Sequence, residues 1–176
     1  MTIINIVAAP CAGKSTLACK LFYELKKSHR NVEYVNEFAK TLIWEDRLEE
    51  INDQFYISRN QYNILKSVHG KVEHVICDSP LFMSLFYNSF NENNISNVEK
   101  TEKYILEKMK IFAKDSMYIF IKRDETLPYT VSGRIHDLEQ SRVIEHEMIK
   151  LLDKHNIEYM VVNTGDQCDH VLDILK

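Results

Sequence analysis

Short β-branched apolar runs alternate along the chain with longer stretches in which apolar residues recur every three or four positions. Residues 3–8 (IINIVA) are apolar almost without interruption, the pattern of a strand covered on both faces, as in a parallel sheet. Residues 14–28 follow with Leu17, Leu21, Phe22 and Leu25 at helical spacing and Lys20, Lys26 and Lys27 turned to solvent. The same reading predicts strands over 32–36, 73–77, 116–121 and 157–162, and helices over 38–50, 53–69, 81–90, 98–113, 137–153 and 167–175. Gly70 ends the helix before 73–77, and the polar 91–97 run is loop-like. The 123–136 stretch contains Pro128 and Gly133 and little apolar periodicity, so it is read as a loop. In 137–153 the expected buried set is Leu138, Val143, Ile144, Met148, Leu151 and Leu152.

Strand and helix alternate from end to end, which implies an α/β fold with a mainly parallel sheet flanked by helices. In such sheets ligands bind beyond the carboxyl ends of the strands. Those ends here carry residues 8–15, Asn36-Glu37, Asp78-Ser79-Pro80, Lys122-Arg123 and residues 163–166. Polar and charged side chains therefore gather at one edge.

Composition narrows the class further. With 176 residues, 45% hydrophobic and 27% charged, the chain is expected to form one domain, 1–176, at about 100–200 residues per domain. A net charge of -4 and a pI near 6.0 argue against broad electrostatic binding of nucleic acid. Cys11, Cys19, Cys77 and Cys168 are far apart and read as reduced thiols of a cytoplasmic protein. The first residues lack the basic flank and length of a signal peptide. No run approaches the ~18 apolar residues of a membrane span. The histidines form no metal-ligand spacing, so no zinc site is expected.

The strongest chemical signal is Ala8-Ala9-Pro10-Cys11-Ala12-Gly13-Lys14-Ser15-Thr16, lying between a strand and a helix. That is the context a phosphate-binding loop requires: backbone N–H groups wrap the phosphates and a helix N-terminus faces the negative charge. Ala12, Gly13, Lys14, Ser15 and Thr16 are the candidate ATP contacts. Lys14 would reach the outer phosphates and the Ser15 hydroxyl would bind Mg²⁺. The motif has glycine where this chain has Ala8, which costs little if φ there is negative.

Asp78, after the third strand, suits a Mg²⁺-binding or basic carboxylate; the alternative is a helix N-cap. Glu37, after the second strand, can take a proton from a substrate hydroxyl, hold that hydroxyl, or simply favour a helix dipole. Arg123 and Arg134 bracket the 123–136 loop, which can close over a nucleotide, and arginine stabilises the charge of a moving phosphoryl group. Arg142 fits a solvated helix position equally well. Gln54, Ser58, Gln61 and Leu65 share one helix face, so two amides either read a base edge or are solvated. Tyr87, like Phe55 and Tyr62, offers either a stacking surface or core packing.

Taken together, residues 8–16, Glu37-Phe38-Ala39-Lys40, Cys77-Asp78-Ser79-Pro80 and Gly133-Arg134 resemble the P-loop kinase superfamily, and within it the small AAA_28-like group. That group includes the nicotinamide riboside kinase domain and short phage-encoded nucleotide kinases. The resemblance implies a five-stranded parallel sheet of order 2-3-1-4-5, ATP and Mg²⁺ as cofactors, and a small lid near 123–136 holding Arg123 and Arg134. It also implies a loop at Thr164-Gly165-Asp166 that packs on adenine. Glu37 and Asp78 fall at the family's two acid positions. The chain departs from the nucleoside kinases in having no arginine beside Asp78.

The leading expectation is transfer of the γ-phosphate of ATP to a hydroxyl or phosphate of a nucleoside, nucleotide or related small molecule, with Glu37, Gln54, Gln61 and Tyr87 contacting the acceptor. A second is a kinase of 5-hydroxymethyluracil in DNA, as in one phage branch that the chain resembles. A third is an ATPase switch with no acceptor. The pattern leaves oligomeric state open.

Overall fold

The apolar runs become the strands of one sheet in a computed structural model of the protein, which describes residues 1–130, 136–163 and 168–175. The strands are β1 (Thr2–Ala8), β2 (Val32–Val35), β3 (His74–Cys77), β4 (Ser116–Lys122) and β5 (Met160–Asn163). Their order is β2-β3-β1-β4-β5, as the resemblance implies, and every neighbouring pair is parallel. The helices are α1 (Lys14–Lys27), α2 (Phe38–Trp44), α3 (Leu48–Ile51), α4 (Gln54–Val68), α5 (Leu81–Phe90), α6 (Val98–Phe112), α7 (Leu138–Lys154) and α8 (Cys168–Ile174).

Alternation along the strands builds two cores. Ile3 and Val7 of β1 join Val75, Cys77 and Phe120 on the face covered by α4, α5, α6 and α7. Ile4, Ile6 and Ala8 join Ile76, Ile119 and Ile121 on the face covered by α1 and α8. Burial on both faces is what makes the central strand β1 read as a continuous apolar run. Among the described residues no helix is long and apolar enough to cross a membrane.

The structure differs from the sequence expectation in three places. The predicted 38–50 helix is broken: Asp46 takes φ 57, and Arg47 N–H closes back on the Leu42 carbonyl at 2.9 Å, a left-handed helix stop. Only Leu42 of α2 is buried and Trp44 is 70% exposed, so packing holds no longer helix there. In α7, Val143 is exposed, and the buried stripe is Ser141, Ile144, Met148 and Leu152. Ser141 is tolerated inside because its hydroxyl donates to the Pro10 carbonyl at 2.7 Å. Finally, β5 begins at Met160, where pairing with Ile119 starts, rather than at 157.

α7 opens with a capping box: the Asp137 carboxylate accepts from Gln140 N–H at 2.8 Å, and the Gln140 side chain accepts from Asp137 N–H at 2.9 Å. α5 is buried along most of its length, and its Phe82, fully buried, lies in the core cluster with Val7, Val75 and Phe120. Phe82→Ala should lower the free energy of unfolding by about 3–5 kcal/mol, the usual cost of emptying such a site, as read from the urea midpoint at unchanged m-value.

Candidate active site

β1 delivers the chain to the carboxyl edge of the sheet, and Ala8 is still in the ladder there, opposite Ile121 and without positive φ. Alanine is therefore no obstacle at that position. The turn itself rests on two left-handed residues, Cys11 at φ 63 and Gly13 at φ 89. Glycine meets that requirement without strain; cysteine does so at a cost of roughly 1–2 kcal/mol. Nothing in the local pattern singled out Cys11 for this conformation. The 124–130 segment reaches the same turn, where Thr130 N–H donates to Cys11 Sγ at 3.4 Å.

α1 starts at Lys14 with no side-chain cap and no acidic residue in its first turn. The first N–H groups of a helix have no partner within it. An uncapped, acid-free helix start behind a left-handed turn is suited to an anion.

Three elements converge on Lys14. Its Nζ lies 3.6 Å from Asp78 Oδ1 and 3.8 Å from Glu37 Oε2. Asp78 is 6% exposed and does not cap α5, whose N-cap is Pro80. Its Oδ2 instead accepts from the Ser15 hydroxyl at 2.7 Å and from the Tyr34 phenol at 3.0 Å. Glu37 is the N-cap residue of α2, yet its carboxylate makes no cap hydrogen bond. Both acids thus face Lys14 instead of serving their own helices.

Gln61 fixes the backbone on either side of Glu37. Its Nε2 donates to the Asn36 carbonyl at 3.0 Å, and its Oε1 accepts from Phe38 N–H at 2.9 Å. The sequence offered a base-reading or a solvated amide; the structure shows a buried one used as a backbone clamp. Gln54 is also buried, with Nε2 donating to the Ile51 carbonyl at 2.8 Å. Its contacts join α3 and the Asn94 side chain, not Lys14, Glu37 or Asp78.

Tyr87 lies plane-parallel to His136, with ring centroids 6.1 Å apart. Burial, and then the Glu37 charge, raises its phenol pKa above the usual range. Burial lowers that of His136, favouring the neutral imidazole. Tyr129 OH donates to the His136 carbonyl at 2.7 Å.

Arg123 is 7% exposed, directly after β4. Its guanidinium donates to the carbonyls of Asp124 (3.2 Å) and Leu127, its Cζ lies 5.6 Å from the Tyr129 ring centroid, and its Nε has no hydrogen-bond partner. Its own N–H donates to Glu145 Oε2 at 3.0 Å. Carbonyls just past a strand end lack ladder partners, and the adjacent guanidinium supplies the donors. Arg142 is exposed and pairs with Glu125 at 2.6 Å. Thr16 is exposed on the first turn of α1 and Ala12 is buried in the loop. Arg134, Gly165 and Asp166, with Gly133 and Thr164, lie outside the described residues.

The oxygen donors at Ser15 and Asp78 fit Mg²⁺. Mg²⁺ is a hard cation, usually held by one or two protein oxygens together with phosphates and waters. Asp78 Oδ1 is buried and accepts no hydrogen bond. Ser15 gives its proton to Oδ2 and keeps lone pairs free. Among the described residues no group of three or more His, Cys, Asp or Glu side chains could hold a metal by itself.

Comparison with known proteins bears on the fold and the family. Solved structures with the same fold include the YorR protein of Bacillus subtilis in complex with phosphorylated GDP, at 19% identity and a TM-score of 0.56, covering 99% of this chain and 94% of that one. Thymidylate kinase from Candida albicans is 14% identical with a TM-score of 0.64, covering 99% and 90%. Deoxyadenosine kinase from M. mycoides with bound dCTP is 17% identical with a TM-score of 0.56, covering 99% and 98%. At these identities the likeness concerns the fold, a five-stranded parallel sheet flanked by helices. No curated protein sequence matches. The AAA_28 family, described as an AAA domain, matches residues 3–169, nearly the whole length, and the chain belongs to that family.

Proposed function

We propose that the protein is an ATP- and Mg²⁺-dependent phosphotransferase acting on a hydroxyl of a nucleoside, nucleotide or related small molecule. The observation that carries this reading is the placement of Lys14, at an uncapped helix start, between the carboxylates of Glu37 and Asp78. One ammonium against two carboxylates leaves a formal excess of one negative charge. A triphosphate alone would meet repulsion from the acids, whereas Mg²⁺ carried with ATP reverses the sign.

Gly13 and the first N–H groups of α1 would cradle the phosphates, with Lys14 on the outer ones. Ser15 and Asp78 would hold Mg²⁺, which neutralises charge on the phosphate oxygens as the transferring group moves. Asp78 already accepts two hydrogen bonds, so Glu37 is the better proton acceptor. In the transfer, the acceptor O–H gives its proton to Glu37, its oxygen bonds to Pγ, and the bond from Pγ to the bridging oxygen of ADP breaks. Tyr87 and His136 would flank the acceptor, with Gln61 holding Glu37 in place. Arg134 would meet the γ-phosphate from a lid over 123–136, and Gly165 and Asp166 would line the adenine. For Arg123 the same role requires its guanidinium to leave the Asp124 and Leu127 carbonyls. The free thiols of Cys11, Cys19 and Cys77 suit a cytoplasmic location.

The test is transfer of ³²P from γ-labelled ATP to a panel of nucleosides, nucleotides, nicotinamide riboside and hydroxymethyluracil-containing DNA. Label in a small acceptor supports the proposal. Label only in the DNA moves the acceptor to a polymer base. ATP hydrolysis with no labelled acceptor favours a switch and overturns the phosphotransferase reading.

A further inference from the structure

Resting on that reading, we propose that Tyr34 is a positioning residue of the active site: its phenol assigns separate tasks to the two oxygens of Asp78 and so sets how tightly Mg²⁺ joins the bound nucleotide. Tyr34 lies in β2, and Asp78 immediately follows β3. The two strands are parallel neighbours in which Tyr34 pairs with Ile76 and Val35 with Cys77. This register brings Tyr34 within reach of Asp78, and its OH donates to Oδ2 at 3.0 Å.

An ionised carboxylate has about four lone-pair sites, two on each oxygen. Ser15 and Tyr34 fill both sites of Oδ2. Oδ1 is left as the oxygen with acceptor capacity, buried, without a hydrogen bond and 3.6 Å from the Lys14 ammonium. Two donors on one oxygen also fix the rotation of the carboxyl plane. Without the phenol, Ser15 alone would hold the carboxyl plane, which could then rock about the Cβ–Cγ bond and would no longer keep the other oxygen in one position beside Lys14.

Tyr34 is built for this constant role. Its ring is half-buried and meets Phe22 of α1 edge-on, with centroids 6.0 Å apart, so the packing that aims the hydroxyl comes from the helix carrying Lys14 and Ser15.

The test is Tyr34→Phe, which keeps the ring and its contact with Phe22. Affinity for a fluorescent ATP analogue is measured in EDTA and across a Mg²⁺ titration, and Mn²⁺ binding to the nucleotide complex is followed by electron paramagnetic resonance. Affinity in EDTA should stay within about twofold of wild type, while the Mg²⁺ and Mn²⁺ midpoints should rise about tenfold, the lower end of what a hydrogen bond to a charged group contributes. In an Asp78→Asn background, Tyr34→Phe should shift the midpoints no further. Equal loss with and without metal, unchanged metal midpoints, or additive effects in the double variant would each overturn the proposal. Absence of nucleotide binding by the wild type is a separate result: it removes the phosphotransferase reading itself.

Discussion

Lys14→Ala should abolish measurable binding of ATP while leaving the fold intact. The ammonium is the one cation held between Glu37 and Asp78 among the described contacts of those acids. Removing it leaves two carboxylates facing the place where phosphates would sit, and the formal excess of negative charge there doubles from one to two. A charge-assisted contact is worth about 1.5–3 kcal/mol, and the loss of screening of the two acids adds to it. We expect affinity to fall at least 100-fold by calorimetry, with thermal unfolding shifted by only a few degrees. Lys14→Arg should recover little, because a planar fork replaces a compact point charge in a narrow turn. Near-wild-type affinity of the alanine variant would mean that the turn after β1 does not grip the nucleotide.

The second large effect separates chemistry from binding. Glu37→Gln preserves the shape of the side chain and removes its charge and basicity. Turnover should fall 10²–10⁴-fold, the span typical of a lost general base. Affinity for ATP should stay the same or rise slightly, since one repulsive charge has gone. Asp78→Asn should differ: it disturbs the Ser15 and Tyr34 hydrogen bonds, so turnover and the Mg²⁺ requirement should change together. If Glu37→Gln kept full transfer activity, the proton would have to leave by another route, and an acceptor-free ATPase switch would gain ground.

The architecture was readable in the sequence because the central strands are runs of apolar residues and the long helices α1, α6 and α7 carry apolar residues at helical spacing. β1, with Ile3, Ile4, Ile6 and Val7 all buried, could be little other than a central parallel strand. The edge residues Lys14, Glu37 and Asp78 followed from where strands end. What stayed hidden were side-chain partnerships across long sequence distances. Nothing singled out Tyr34 within the short strand predicted over 32–36, and only the β2–β3 register brings its hydroxyl to Asp78. That signal was available in principle once the strand order was assumed. Gln61 shared a helix face with Gln54, but periodicity cannot say that its amide closes on the Asn36 carbonyl and Phe38 N–H. The break at Asp46 was likewise invisible, because a weakly buried helix ends where tertiary packing stops supporting it. Arg123 read as a phosphate ligand from its place after β4, whereas the local carbonyls of 124 and 127 take its donors first.

The claim on which the account turns is that a triphosphate sits on the start of α1. Backbone ¹⁵N–¹H spectra of the labelled protein, recorded while a non-hydrolysable ATP analogue is added with Mg²⁺, test it most directly. The amides of Gly13, Lys14, Ser15 and Thr16 should show the largest shifts and saturate together with those of the 124–130 segment. Shifts confined to other parts of the sheet, or none at millimolar analogue, would contradict it.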